Sequence, residues 1–240
     1  MRETLLKTPE NLCEIWVGVS RKGPRAEEIA GLGAEKGVPV KFKDLREIEA
    51  VAPGAAHQGF VAFAETFSYT DLEDLIEKSR QAPGGALLIV ADHITDEGNL
   101  GALIRTAAFF GVHGLILPKD RSAQITGKLL KRTSGAYAAL PIAQVVNLAR
   151  TLDLLVVKGF WIIGAAGEAK ETIYDFDWDR DVVLALGSES KGLGRSVRER
   201  CHALVRVPGS GQVESLNLSV AGGVILSEIL RQRERKGKLK

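Results

Sequence analysis

The chain has 240 residues, 45% hydrophobic and 26% charged, with a formal net charge of +2. That is the composition of an ordinary globular protein of one or two domains, long enough to bury a core without covalent staples, and a charge so near balance means that a polyanionic partner has to be met by local clusters. Only two cysteines occur, Cys13 and Cys201, in no CxxC pair, which excludes a disulfide framework and a cysteine zinc site and makes a reduced, cytoplasmic compartment the default.

The N-terminus, "MRETLLKTPENLC", has no apolar run behind its basic residue and is not a signal peptide. No apolar run along the chain reaches the ~18 residues of a membrane helix. "LCEIWVGVS" (12–20) alternates and is rich in strand formers. "PRAEEIAGLGAEKG", opened by Pro24 and closed by Gly37, is predicted as a helix. "VPVKFKD" and "QGFVAFAE" read as strands joined by a loop. Residues 1–66 therefore form a small α/β unit.

Residues 67–85 contain a short polar helix, with Thr70 as its cap and Pro83-Gly84-Gly85 as its stop. Polar, Gly/Pro-rich sequence is where domain boundaries fall, so this segment is assigned as a linker. From residue 86 to 240, strands ("ALLIVAD", "HGLILP", "AYAALPI", "FWIIGAA", "DVVLALG", "ALVRVPG") alternate with helices ("NLGALIRTAAFFG", "SAQITGKLLKRTSG", "VVNLARTLDLLVVKG" and the stretch after Ser215). That alternation predicts a mostly parallel sheet with helices on both faces. The last ten residues, "RQRERKGKLK", are strongly basic and are expected to fray into solvent.

Parallel α/β sheets bind ligands at the carboxyl ends of their strands, which singles out three loops. The first, "HITDEGNLGALIRTA" (93–107), has Asn99 as a candidate N-cap and Arg105 in an otherwise apolar helix. A buried guanidinium is costly unless paired, so Arg105 is expected to face a polar cavity or an interface. The second, "GSESKGLG" (187–194), has three glycines that let backbone approach a ligand; Lys191 precedes the second glycine, which breaks the phosphate-loop pattern, and "GLGAEKG" (31–37) has the wrong spacing for a dinucleotide fingerprint. In the third, Ser215, Asn217 and Ser219 alternate with leucines. One of them suffices to cap the following helix, which leaves a surplus of hydrogen-bonding groups.

The four histidines, His57, His93, His113 and His202, show no ligand spacing, so no metal is expected, and no Ser-His-Asp arrangement is present. Cys201 beside His202 reads as a structural thiol. Basic residues cluster at Lys119, Arg121, Lys128, Lys131 and Arg132 and again at Lys191, Arg195, Arg198, Arg200 and Arg206. Such clusters are either solvated helix faces or a footprint for phosphates.

"DEGNLGALIRTA", "LALGSESKGL" and "VPGSGQVESLNLSVA" resemble, in order and spacing, the three motifs of SpoU/TrmH-type RNA 2′-O-ribose methyltransferases of the SPOUT superfamily. "KRTSGAYAALPIAQVVNL" and "LPKDRSAQITG" agree, so the resemblance covers roughly residues 86–235. The unit containing "HQGFVA" (57–62) resembles the small RNA-binding domain of the branch that methylates a guanosine ribose in 23S ribosomal RNA. The chain begins within what resembles the first helix of that domain.

The resemblance implies an α/β fold in which a C-terminal domain with a mostly parallel sheet and a deep trefoil knot, an exception among folds, follows a small α/β RNA-binding domain. It implies S-adenosylmethionine as cofactor, RNA as partner and a homodimer. Carried over by position, Leu186, Gly187, Ser188, Gly192, Val207, Pro208, Leu216 and Asn217 would hold the cofactor. Asn99, Arg105, Glu189, Ser215 and Asn217 would line the reaction centre, and Arg105, Lys119, Arg121, Lys131, Arg132, Lys191 and Arg195 would meet RNA. The alternatives are a tRNA ribose methyltransferase and a non-catalytic ribosome-assembly factor of the same fold. Two departures stand out: Asp96-Glu97-Gly98-Asn99 where Asp-Pro is frequent before the asparagine, and Thr133 where serine is common.

Overall fold

The computed structural model describes residues 1–7, 9, 12–19, 23–64, 67–189, 191–212 and 215–237. They fall into two units, Met1–Ser68 and Tyr69–Lys240. The smaller unit runs α1 (Arg2–Lys7), β1 (Leu12–Gly18), α2 (Pro24–Lys36), β2 (Val40–Lys43), α3 (Leu45–Val51), β3 (Phe60–Ala64). Its sheet has the order β2-β1-β3, with β1 parallel to β2 and antiparallel to β3. Alternation along β1 sends Ile15 and Val17 to one face, where they bury against Ala26 and Ile29 of α2 and Leu5 of α1. α2 ends as its sequence predicts: Gly37 takes φ 71 and donates its N–H to the carbonyls of Gly33 and Ala34. The expected loop between β2 and β3 contains α3, opened by a capping box of Asp44 and Glu47, so the signal "DLRE" was present in the sequence. Ser20 and Glu65, included in predicted strands, lie outside the described residues.

The larger unit runs α4 (Leu72–Arg80), β4 (Leu87–Asp92), α5 (Glu97–Phe109), β5 (Gly114–Pro118), α6 (Gly127–Arg132), a 3-10 turn (Ala136–Ala139), β6 (Ile142–Val145), α7 (Leu148–Val157), β7 (Trp161–Ala165), β8 (Glu171–Thr172), β9 (Val182–Gly187), α8 (Arg195–Arg198), β10 (Ala203–Arg206), α9 (Leu218–Arg235). Its seven strands lie in the order β6-β5-β4-β9-β7-β10-β8, and every neighbouring pair is parallel. β4 and β9 are buried along almost their whole length, as expected of strands covered on both faces. The predicted strand "AYAALPI" begins only at Ile142, because Ser134 (φ 53) and Gly135 (φ 85) turn the chain into the 3-10 segment.

Three expectations need correction. The segment 67–85, assigned as a linker, contains α4, whose Leu75 and Ile76 belong to the core of the larger unit with Leu88, Val90 and Leu152. Its cap is Asp71, which accepts the N–H groups of Glu73 and Asp74, rather than Thr70. The basic C-terminal stretch does not fray from its start: α9 continues to Arg235, and Arg233 is 2% exposed. Its guanidinium donates to the carbonyls of Gly85, Ala86 and Arg180, which replaces the water it gives up.

From β4 the chain builds outward through β5 and β6, then crosses to β7. β9 afterwards enters between β4 and β7, and β10 between β7 and β8. The order therefore reverses beside β4, the place where an open parallel sheet forms its crevice. Ala91 pairs with Leu186 and Asp92 with Gly187, so β4 and β9 end level and their following loops lie side by side.

Candidate active site

The loop after β9 folds back on its own strand. Gly192 N–H donates to Ser188 O at 2.8 Å, closing a bridge between these two residues. A Cβ on Gly187 would stand 2.1 Å from the carbonyl carbon of Gly192, so only glycine admits this return. Gly192 itself takes φ 62, a conformation that favours glycine. Ser190 lies outside the described residues.

Glu189 projects from this hairpin toward the start of α9. Its Oε1 accepts from Asn217 Nδ2 at 2.6 Å and from the N–H of Leu218 at 3.2 Å. A carboxylate there answers the unpaired N–H groups and the positive end of the helix dipole. Asn217 is the N-cap of α9: its Oδ1 accepts from Ser219 N at 3.0 Å and from Ser219 Oγ at 2.6 Å. The second bond of its Nδ2 goes to Asn99 Oδ1 at 2.9 Å. Both amide hydrogens and the amide oxygen of Asn217 are thus engaged, and one side chain ties the loops after β4, β9 and β10 together. Asn99 lies in the first turn of α5, but the cap is Asp96, whose Oδ1 accepts Asn99 N–H at 2.7 Å.

The remaining predicted residues are not drawn into this network. Arg105 is exposed, and no described carboxylate or carbonyl holds its guanidinium. Six residues along a helix place it about 9 Å from Asn99 and well around the axis. Ser215 is exposed and Leu216 is 46% exposed beside Asn217. Leu186 is buried, Gly187, Ser188 and Val207 are half-buried, and Pro208 and Gly192 are exposed. Lys119, Arg121, Lys131, Arg132, Lys191 and Arg195 are all exposed, and Arg195 pairs with Glu199 at 2.7 Å. A Cβ on Gly98 would meet the guanidinium of Arg132 at 3.3 Å, and one on Gly101 would meet Arg132 Cβ at 3.2 Å. These two glycines of "EGNLG" let α6 and its arginine lie against the first turns of α5.

Cys201 is half-buried and its thiol is pushed up to about 11, chiefly by burial, so it is protonated and unreactive at neutral pH. Sequence reasoning missed Asp92, 1% exposed at the end of β4; a carboxylate closing the apolar run "ALLIVAD" was the available signal.

Gly187 brings backbone within reach where a side chain would collide, Leu216 offers open apolar surface, and the carboxylate of Glu189 lies alongside. The fold has close counterparts. The SpoU methyltransferase AviRb from Streptomyces viridochromogenes, solved with AdoMet, superposes with a TM-score of 0.79 at 21% identity, over 98% of this chain and 89% of that one. The TrmH/SpoU tRNA modifying enzyme of A. aeolicus superposes with a TM-score of 0.59 at 28% identity, over 69% and 85%.

Fold and sequence matches together define an RNA methyltransferase built on a parallel α/β sheet. Residues 86–227 match the SpoU rRNA Methylase family, and residues 3–70 match the family described as RNA 2'-O ribose methyltransferase substrate binding. The chain is 43% identical over 235 residues to the 23S rRNA (guanosine-2'-O-)-methyltransferase RlmB of Pseudomonas aeruginosa, covering 96% of this chain and 93% of that protein. It is 42% identical to the protein of the same name from Xylella fastidiosa, covering 93% and 90%. The chain belongs to the SpoU rRNA methylase family.

Proposed function

We propose that this chain transfers the methyl group of S-adenosylmethionine to a ribose 2′-oxygen of RNA, at a guanosine of 23S rRNA. The observation that carries this reading is the Asn99–Asn217–Glu189 network, which unites the three motif loops in a chain aligned along 96% of its length with a 23S rRNA enzyme. S-adenosylmethionine supplies an electrophilic methyl carbon on a sulfonium. The backbone around Leu186, Gly187, Ser188, Gly192, Val207, Pro208, Leu216 and Asn217 holds it.

Arg105 cannot serve as a base, because a guanidinium stays protonated. It binds the phosphate of the target nucleotide, and its charge favours a developing alkoxide on the 2′-oxygen as the hydroxyl proton passes to solvent water; the oxygen–carbon bond forms as the carbon–sulfur bond breaks, with a neutral thioether as leaving group. Ser215 orients the ribose, Asn217 fixes the loops around it through its engaged amide, and a held near-attack geometry supplies roughly 7–11 kcal/mol. The exposure of Lys119, Arg121, Lys131, Arg132, Lys191 and Arg195 supports their meeting the RNA backbone.

The protein works as a homodimer. Support comes from exposed apolar residues on α5 and α9, Phe109 at 82% and Val220 at 51%, beside an open groove of about 620 Å³ lined by Thr106, Phe110, Tyr174 and Val224. Arg105 lies one turn before Phe109 on the same stripe, so a second copy seated there encloses the guanidinium. Residues 1–66 bind the substrate RNA and 86–240 do the chemistry, in the cytoplasm where ribosomal RNA is made. The entry of β9 and β10 between strands laid down earlier supports a trefoil knot at the site.

The test incubates the protein with methyl-labelled S-adenosylmethionine, unmodified 23S rRNA and, separately, tRNA, and maps the label. A 2′-O-methylguanosine in 23S rRNA is expected. Label in tRNA alone selects the tRNA reading, which the A. aeolicus enzyme represents among the relatives. Label in neither selects the assembly factor.

A further inference from the structure

Three of the four histidines do the same job. Nδ1 of His57, His113 and His202 accepts a backbone N–H, from Gly59, Leu87 and Ile162, at 3.0, 2.9 and 2.9 Å. His93 differs. Its Nδ1 meets Asp92 Oδ1 at 2.5 Å, so the imidazole is the donor. Its backbone takes φ 57 to turn the ring back onto the preceding residue, a conformation disfavoured for any residue with a Cβ.

Asp92 ends β4 and is 1% exposed. A buried carboxylate persists only when hydrogen bonds replace water. Its second oxygen, Oδ2, accepts the N–H of Gly194 at 2.7 Å. Gly194 is the exit of the hairpin that carries Glu189 and the N-cap of α8. A Cβ on Gly194 would stand 3.0 Å from Asp92 Oδ2 and 3.5 Å from the imidazole, so this contact too is made close by a glycine. The hairpin is therefore fixed at both ends: at its root by the β4–β9 ladder and the Gly187–Gly192 contact, at its exit by Asp92.

We infer that Asp92 is a positioning residue for methyl transfer. Its carboxylate, oriented by His93, clamps the exit of the 187–194 hairpin. It thereby sets where Glu189 meets Asn217 and where the backbone of Gly187, Ser188 and Gly192 faces the cofactor. Asp92 and His93 act through the hairpin and touch no reacting atom. The inference rests on the assignment of S-adenosylmethionine to this loop cluster.

Calorimetric affinity for S-adenosylmethionine and hydrogen exchange at the Gly194 amide test the clamp in the full chain. The variants are Asp92→Ala, Asp92→Asn and Gly194→Ala, with Ile142→Ala as a control. Gly194 has ordinary backbone angles, φ −61 and ψ 149, so alanine there strains only the contact with Asp92. Asparagine can still accept from Gly194 and donate to the other tautomer of His93. Ile142, 1% exposed in β6 and three strands from β9, loses core packing far from the hairpin.

Asp92→Ala and Gly194→Ala are expected to raise the dissociation constant about tenfold and speed exchange at residue 194, while Asp92→Asn stays within about threefold of wild type. Ile142→Ala lowers the thermal midpoint and leaves affinity unchanged. A wild type that binds, with Asp92→Ala equal to it in affinity and exchange, overturns the clamp alone. So does an Ile142→Ala that weakens binding as much as Asp92→Ala. A wild type that binds no S-adenosylmethionine overturns the cofactor assignment beneath it.

Discussion

Arg105 and Cys201 show how one side chain's surroundings decide its chemistry. In an apolar helix Arg105 keeps its guanidinium exposed, with no described carboxylate or carbonyl holding it, a state in which the charge is available to a phosphate or alkoxide. Arg105→Ala is expected to lower kcat by about 10²–10³, the scale of losing one transition-state donor, with affinity for S-adenosylmethionine unchanged by calorimetry. Unchanged turnover would remove Arg105 from the centre. Cys201 lies at the other extreme. With its thiol raised to about 11 by burial, the thiolate fraction at pH 7.5 is small, whereas Cys13 is exposed. A maleimide probe at that pH should label Cys13 first and Cys201 only slowly; labelling is read by mass spectrometry, and the Cys201 rate should climb as pH approaches 11.

At the scale of elements, the caps and close approaches at the strand ends matter most. Asn217 caps α9 and also bridges Asn99 to Glu189. Asn217→Ala should cost about 1 kcal/mol as a lost cap, read as a modest fall in thermal midpoint, and a much larger fall in methyl transfer because three loops separate. Gly187→Ala forces a Cβ to within 2.1 Å of backbone at Gly192, and backbone cannot yield as a side-chain tip can. The hairpin should open and cofactor affinity should fall by at least about tenfold. A variant that binds like wild type would show that the return of the hairpin is dispensable.

For the molecule as a whole, the last turns of α9 lock the larger unit. Arg233 joins α9 to the start of β4 and to the residues before β9 through three carbonyls. Arg233→Met preserves bulk but takes the guanidinium donor from the carbonyls of Gly85 and Arg180, while Ala86 O keeps the N–H of Val182, and should destabilise by about 2 kcal/mol in urea unfolding. One turn on, Lys236 donates to Asp177 at 3.0 Å. With the Asp179 N–H and Arg180, that bond holds the Asp177 carboxyl down at about 2. A carboxyl whose folded pKa is depressed stabilises above its unfolded value near 3.8 and loses that contribution as pH falls through about 2. The midpoint difference between wild type and Asp177→Asn should therefore be present at pH 5, shrink as pH falls toward 2, and be small in salt, since both side chains are about half exposed. If the proposed dimer uses the face of α5 and α9, Phe109→Glu should shift sedimentation from dimer to monomer, and a wild type that sediments as a monomer removes the dimer.

The sequence by itself determined the alternation of strands and helices and the mostly parallel sheet, and it singled out the three loops that Asn217 joins. Those signals are local: period, punctuation and short motifs survive without knowledge of what lies across the fold. It misplaced caps by one to three residues at α4 and α5, where a carboxylate nearby competes with the favoured polar residue. It missed α3 although Asp44 and Glu47 spelled its start. Only the tertiary structure decided that β9 enters beside β4, that Asn217 reaches Asn99 across 118 positions, that Asp92 reaches Gly194 across 102, and that a basic tail buries Arg233. Each of these depends on which distant backbone arrives within hydrogen-bond range, and a guanidinium or carboxylate is buried or solvated according to that arrival, not according to its neighbours in the chain.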